Sequence, residues 1–332
     1  MDAINAQVEL IRTVAMRTMV WKFRIWGFGE AIALRGLYQA ASVTGDSLFR
    51  EYVDGLLEMY VNRGVGISAE EHIAPGTELL LLYQRTSDER YLSAALKLAA
   101  LHASFSVGSS GARIHRADLP GWRRQIWVDC MDAEPPFLAL LGRVTGDGKF
   151  FDQAATEILG YARLLQDEET GLFFHGFEEA CGRNGQIWAR GNGWALMGLV
   201  EVLKLLPKEH SHYDELSERL VRAFRALARY QHSSGLWHTV IPNQDTYLES
   251  TLAVMTAYSL REAFRAELID ESEFREVEQQ ARGASTRLIS EDGSLNLVTD
   301  ATPVAELKMY ATRPFGIYPW GQGPLLLMLT QS

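Results

Sequence analysis

The feature that most constrains how this chain can fold is a short phrase that it uses three times. Leu37-Tyr38-Gln39 leads to Thr44-Gly45-Asp46 and Phe49, Leu82-Tyr83-Gln84 to Thr86-Ser87-Asp88 and Tyr91, and Leu140-Leu141-Gly142 to Thr145-Gly146-Asp147 and Phe150. Each is an apolar helix end, a turn, and an aromatic residue that opens the next apolar-periodic helix. The Asp or Thr can cap the new helix and the Gly or Ser suits the end of the old one, so the phrase predicts helical hairpins. A second phrase marks other junctions: Ser110-Gly111-Ala112-Arg113-Ile114-His115, Thr170-Gly171-Leu172-Phe173-Phe174-His175, Ser234-Gly235-Leu236-Trp237-His238 and Asp292-Gly293-Ser294-Leu295-Asn296-Leu297. A polar-Gly turn followed by short alternation predicts a small strand or extended loop between helices.

Helical periodicity over Ala195 to Leu206 and Leu216 to Tyr230 fills the spaces between such phrases. Repeated helix pairs imply a solenoid or a closed ring of hairpins. The helices have strongly apolar faces and the unusual residues gather at one kind of junction, which favours closure. No linker, low-complexity tract or charge block divides the chain. The expectation is one all-α domain over residues 1–332, a toroid of about six hairpins whose number rests on length.

Apolar residues make up 47% of the 332 and charged residues 22%, a globular balance. The formal charge of -10 argues against nucleic acid or an anionic membrane as partner, since either needs clustered Lys and Arg. The two cysteines, Cys130 and Cys181, form no metal or redox spacing and are expected to be reduced and packed. Met1 to Arg24 is amphipathic and carries Asp2, Glu9, Arg12 and Arg17, without the make-up of a secretory signal, and no apolar run is long enough to span a membrane. A cytoplasmic location is expected.

One stretch answers to no fold-building rule: Gln186-Ile187-Trp188-Ala189-Arg190-Gly191-Asn192-Gly193-Trp194. Two indoles, a guanidinium, an amide and two glycines supply stacking planes, a fixed fork of donors and room for close approach, the inventory of a sugar-acid pocket. The plainer reading is a helix entering the core, with Arg190 paired to a structural carboxylate. Upstream, Gly121 to Phe137 contains three candidate acids. Asp129 follows Trp127 and Val128; it is either a helix cap or, lodged against aromatic rings that disfavour ionisation, a general acid. Asp132 and Glu134 compete with it, although a first-turn carboxylate is favoured ahead of Pro135-Pro136 in any case. A second acidic stretch, Ser68-Ala69-Glu70-Glu71-His72, reads equally as a capping box or as part of a site. His115 and His175 sit at the loop junctions, where an imidazole can hydrogen-bond a ligand. The eight His show no metal-ligand spacing, and neither a phosphate-binding loop nor a nucleophilic Gly-x-Ser-x-Gly turn is present.

Together, Trp188-Ala189-Arg190-Gly191-Asn192-Gly193-Trp194, Gly171-Leu172-Phe173-Phe174-His175-Gly176 and Gln125-Ile126-Trp127-Val128-Asp129 closely resemble glycoside hydrolase family 105, the unsaturated rhamnogalacturonyl hydrolases, relatives of the family 88 unsaturated glucuronyl hydrolases. Tyr247-Leu248-Glu249-Ser250 and Gly321-Gln322-Gly323-Pro324 are similar to that family as well. The resemblance implies an (α/α)6 barrel of six hairpins and hydration of the C4=C5 double bond of a terminal unsaturated uronic acid, with no cofactor and no metal. The position matching Asp129 would protonate C4, and Glu71 would stand at the second acidic position, where the family usually has Asp. His115, Gln125, Trp127, His175, Trp188, Arg190, Asn192 and Trp194 match positions that hold the sugar, and Trp26 would add a stacking surface. The stretch from His115 to Asp129, with Arg116, Arg123 and Arg124, is longer and more basic than the family pattern. The implied partner is a small unsaturated oligosaccharide. The alternatives are a sugar epimerase or isomerase using paired His on the same barrel, and a carbohydrate-binding pseudoenzyme.

Overall fold

A computed structural model of the chain describes residues 2–23, 27–64, 73–116 and 120–331. Trp26, Glu71 and His72 lie outside the described residues. In chain order the helices begin with α1 (Asp2–Met19), α2 (Phe28–Thr44), α3 (Ser47–Asn62), α4 (Gly76–Thr86) and α5 (Glu89–Ala103). Strand β1 (Gln125–Trp127) precedes α6 (Cys130–Ala133), α7 (Pro135–Thr145) and α8 (Lys149–Leu165). Strands β2 (Gly176–Glu178) and β3 (Gly182–Arg183) lead to α9 (Ala189–Leu205) and α10 (Tyr213–Tyr230). Next come β4 (Trp237–His238), β5 (Leu248–Glu249), α11 (Thr251–Arg265) and α12 (Glu271–Arg287). The chain closes with β6 (Val298–Thr299), α13 (Leu307–Ala311), β7 (Phe315–Gly316) and α14 (Pro319–Leu329).

Six of these helices form a closed inner ring: α2 packs on α4, α4 on α7, α7 on α9, α9 on α11, α11 on α14, and α14 back on α2. Helices α3, α5, α8, α10 and α12 each pack outside the inner helix they follow, and α1 covers α14 and α2. This is the expected (α/α)6 barrel, but its sixth hairpin joins the two ends of the sequence. Gln7 Nε2 donates to Leu329 O at 2.9 Å across that join. The patterning follows position. Helix α10 buries Leu216, Leu220, Ala223, Phe224, Ala226 and Leu227 on a single stripe, whereas α9 is buried continuously from Ala189 to Val200 because both sides meet protein. The inner contact of α2 on α14 needs glycine: a Cβ at Gly323 would stand 2.7 Å from Ala33 N.

The two sequence phrases mark the two ends of the barrel. At the inner-to-outer turns, Gly45, Ser87 and Gly146 take left-handed φ values of 69, 56 and 73°. Asp46, Asp88 and Asp147 then accept from the backbone N–H groups of Leu48, Arg90 and Lys149 at 3.0, 3.0 and 3.1 Å. Thr44, Thr86 and Thr145 each return a hydroxyl to the carbonyl four residues back at 2.7, 2.8 and 2.7 Å. At the outer-to-inner junctions, Gly111, Gly171, Gly235 and Gly293 turn the chain at φ 94, 83, 88 and 83°. Three small antiparallel sheets, β1-β2-β3, β4-β5 and β6-β7, lie at this end. Both cysteines are free; Cys130 is buried as expected, but Cys181 is exposed because it occupies the turn between β2 and β3. Among the described residues no helix is long and apolar enough to cross a membrane.

Candidate active site

A cleft of about 640 Å³ opens at the end of the barrel that carries the sheets. Its wall takes residues from the starts of α2, α9 and α14 and from the connection into α6. Helix N-termini aimed at a cleft favour an anionic ligand.

The β1–β2 ladder places the first key pair. Trp127 pairs with Gly176, and Val128 N–H donates to His175 O at 2.9 Å, so Asp129 and His175 emerge side by side. Asp129 occupies the position before α6, but its side chain makes no capping hydrogen bond. The carboxyl instead lines the cleft, 5% exposed, with Oδ2 3.2 Å from His175 Nε2. The other two candidate acids are tied elsewhere. Asp132 pairs with Arg35 at 3.0 Å, and Glu134 accepts from Tyr161 Oη at 2.7 Å.

His175 was expected to touch the sugar; it is fully buried behind Asp129, off the cleft wall. It is packed beneath the Trp188 ring at a centroid distance of 4.3 Å, and its Nδ1 lies 2.6 Å from Tyr310 Oη. Burial lowers its pKa against the pull of Asp129, so the ring is neutral. His115 does line the cleft, its ring stacked on Trp127 at 3.9 Å and 12°. Gln125 does not: its Oε1 accepts from Trp127 Nε1 at 2.8 Å, so it steadies the indole rather than facing a ligand.

The Trp188–Trp194 stretch forms the boundary and first turns of α9, and Trp188, Arg190 and Trp194 reach the wall. The Arg190 guanidinium lies over Trp188 at 4.4 Å and Trp320 at 5.6 Å. Its Nη1 donates to Thr299 O and Oγ1 at 2.9 and 2.8 Å, and Nη2 to Asp300 O and Thr302 Oγ1 at 2.8 and 3.3 Å. Both terminal nitrogens are therefore engaged with the 299–302 loop rather than held as an open fork, and Glu249 lies 3.9 Å away. Burial lowers the Arg190 pKa, Glu249 opposes this, and an arginine keeps its charge regardless. What Arg190 offers a bound anion is field more than a bidentate clamp.

Asn192 is a correction. Its side chain accepts from Phe173 N–H at 2.8 Å and donates to Phe173 O and Trp188 O at 2.9 Å each, so it ties the loop before β2 to α9 and does not reach the cleft. The room left by the glycines likewise goes to packing: a Cβ at Gly191 would meet Val128 at 2.6 Å, and one at Gly193 would meet Met255 at 2.3 Å.

Sequence reasoning missed a second aromatic wall. Tyr318 and Trp320 stack at 4.7 Å and 7°, with Trp21 edge-on to both and donating from Nε1 to Glu30 at 2.8 Å. Trp122, Arg116 and the 300–303 loop complete the lining. A signal is present in Tyr318-Pro319-Trp320, an aromatic pair at the start of the last helix and directly before Gly321-Gln322-Gly323-Pro324. The described residues contain one group with the closeness of a metal site, His102, Glu134 and Glu157, whose ligand atoms lie within 4.8 Å of one another. Arg113 Nε donates into it at 3.1 Å and His102 Nε2 meets Glu157 at 2.7 Å, so protein cations already balance its carboxylates.

Comparison with known proteins places the chain in a family. The chain is 27% identical to the unsaturated rhamnogalacturonyl hydrolase YesR of Bacillus subtilis (strain 168), over 97% of this chain and 93% of that protein. A crystal structure described as a possible member of the GH105 family from Klebsiella pneumoniae superposes with a TM-score of 0.89 at 26% identity, covering 98% of this chain and 92% of the other. Another so described, from Salmonella enterica, shares the fold with a TM-score of 0.91 at 24% identity, covering 99% and 93%. The model of Glycosyl Hydrolase Family 88 matches residues 6–332, and the chain belongs to that family of glycoside hydrolases.

Proposed function

We propose that the protein removes a terminal 4,5-unsaturated uronic acid from lyase-generated oligosaccharides. The observation that carries the reading is the Asp129 carboxyl: of the three acids in its segment it alone lines the aromatic cleft, beside Trp127 and Trp188 and backed by His175. In the proposed reaction Asp129 gives its proton to C4 of the enol ether, and positive charge develops at C5. Water adds at C5 and returns a proton to the Asp129 carboxylate. The resulting hemiketal opens by breaking the bond between C5 and the ring oxygen, and the hemiacetal this leaves at C1 collapses to an aldehyde and releases the remaining sugar as an alcohol. The buried charge of Arg190 and the helix N-termini suit the uronate, and Trp188, Trp194, Trp127 and His115 provide ring surfaces. Glu71 is the proposed second acid. The same reading takes residues 1–332 as one catalytic domain acting in the cytoplasm on a small unsaturated oligosaccharide. An epimerase using His115 and His175 as an acid–base pair is disfavoured, because both nitrogens of His175 face protein groups and the ring is buried.

The test is a panel of lyase-generated unsaturated disaccharides, followed by loss of the double-bond absorbance. Asp129→Asn is isosteric and should lower turnover by about 10²- to 10⁴-fold while the unfolding midpoint stays near wild type. Wild-type-like turnover in that variant overturns the assignment of the acid, and a double bond untouched across the whole panel overturns the reaction.

A further inference from the structure

Behind Asp129 the structure carries a hydrogen-bond chain whose direction can be read from its far end. Asn184 Oδ1 accepts from the backbone N–H groups of Gly176 and Gln186 at 3.2 and 3.4 Å. A backbone N–H can only donate, so the orientation of the Asn184 amide is determined, and Nδ2 must face the other way. It donates to Tyr310 Oη at 3.1 Å and to Ala305 O at 3.3 Å. The backbone N–H of Ala305 also donates to Tyr310 Oη, at 3.3 Å. The phenolic oxygen thus receives two donors and has its own proton left to give. The acceptor within reach is His175 Nδ1 at 2.6 Å.

A neutral imidazole that accepts at Nδ1 carries its proton on Nε2. That nitrogen stands 3.2 Å from Asp129 Oδ2, within reach but outside hydrogen-bond alignment, and among the described residues both atoms are buried with no hydrogen-bond partner at all, which leaves each available to the other. We infer that Tyr310 and Asn184 are positioning residues that hold His175 in the Nε2–H tautomer, so that His175 donates to Asp129 Oδ2 and leaves the transferable proton on Oδ1. Without this chain, the other tautomer would present a lone pair to Asp129 and draw the acid proton inward, away from the cleft. The burial that keeps His175 neutral acts in the same sense. The elements meet here because β1, β2 and β3 form one sheet, with Asn184 directly after β3, and α13 brings Tyr310 against its edge. The inference rests on the proposed role of Asp129, but its first readout is independent of turnover.

The test is a two-bond ¹H–¹⁵N correlation on the full chain labelled with ¹⁵N-histidine, with the His175 signal assigned by its loss in His175→Gln. The wild type should show an unprotonated Nδ1 and a protonated Nε2 for this ring across neutral pH. Tyr310→Phe keeps the ring, which sits edge-on to His175 at 5.6 Å, and removes only the donor. Asn184→Asp keeps the acceptor and replaces the donor, which draws the Tyr310 proton away from His175. Both should mix the tautomers and lower kcat on the order of 10- to 100-fold, the scale seen when orienting partners are removed, with KM little changed and the pH profile of kcat shifted. A wild-type His175 protonated at Nδ1 overturns the inference even if neither variant folds. So do variants that keep a single Nε2–H tautomer and wild-type kcat. If Asp129→Asn retains full activity while the tautomer is as described, the assignment of the acid fails and the hydrogen-bond chain stands.

Discussion

Replacing Asn192 with Ala separates a structural role from a binding role. The substitution removes three hydrogen bonds of 2.8, 2.9 and 2.9 Å at a residue only 2% exposed. Trp188 O keeps a donor, since Asn192 N–H still reaches it at 3.0 Å. Phe173 N–H and O lose the amide, in a site closed to water. A buried backbone group left unpaired costs about 1–3 kcal/mol, so the pair costs roughly 2–4 kcal/mol after partial relaxation. For a chain of 332 residues, whose unfolding entropy is about 0.7 kcal/mol/K, that corresponds to roughly 3–6 °C in melting temperature. The assay is urea unfolding together with kcat and KM measured well below the melt. The midpoint should fall with the slope unchanged, and KM should stay within about twofold, because Asn192 does not reach the cleft. Asn192→Asp sharpens the test. It keeps the acceptor for Phe173 N–H but turns an oxygen on two carbonyls, so its folded pKa must rise. Stability from a raised pKa is present in acid and lost as pH rises, so this variant's deficit should widen from pH 5 to pH 8. A wild-type midpoint with a tenfold higher KM refutes the reasoning and returns Asn192 to the substrate.

Gly198→Ala places a Cβ 2.1 Å from Met131 O and 3.0 Å from Asp132 N, backbone atoms of α6. A helix-propensity gain of about 1 kcal/mol is outweighed by overpacking of about 1–3 kcal/mol or more, and displacement of α6 should cost activity as well; a variant as stable and active as wild type refutes the contact. For His102, burial alone would lower the pKa, but the hydrogen bond to Glu157 and the charges of Glu134 and Glu157 raise it above 6.5. Its contribution is therefore complete below about 6.5 and lost as pH rises through the folded value, so His102→Gln should destabilise more at pH 6 than at pH 9. An equal loss at both pH values, measured by thermal unfolding, counts against a charged His102.

Much of the architecture was legible because it rests on local rules. Three Thr-[Gly/Ser]-Asp turns and four polar-Gly turns each specify their own backbone, and alternating between them predicts two-ended hairpins. Closure was legible only as a preference, since the sixth hairpin pairs α1 with α14 from opposite ends of the chain. Among site residues, aromatic and charged groups inside strong motifs were found, as with Asp129, Trp188 and Arg190. Tyr310 and Asn184 escaped notice because each is an ordinary residue in an ordinary stretch, and their role exists only through hydrogen bonds that span 135 and 126 positions.

The sequence by itself determined the hairpin unit, the chemical inventory of the Trp188–Trp194 stretch and the three carboxyl groups from which the acid would come. All are properties of residues within a few positions of each other. Tertiary structure decided which carboxyl faces the cleft, because the fold ties Asp132 to Arg35 and Glu134 to Tyr161 and leaves Asp129 at the cleft wall. It also decided that Arg190 spends its donors on the 299–302 loop and that Asn192 holds the loop before β2. Hydrogen-bond capacity is a property of the side chain, but what satisfies it depends on which distant backbone is brought within 3 Å, and only the closed barrel settles that.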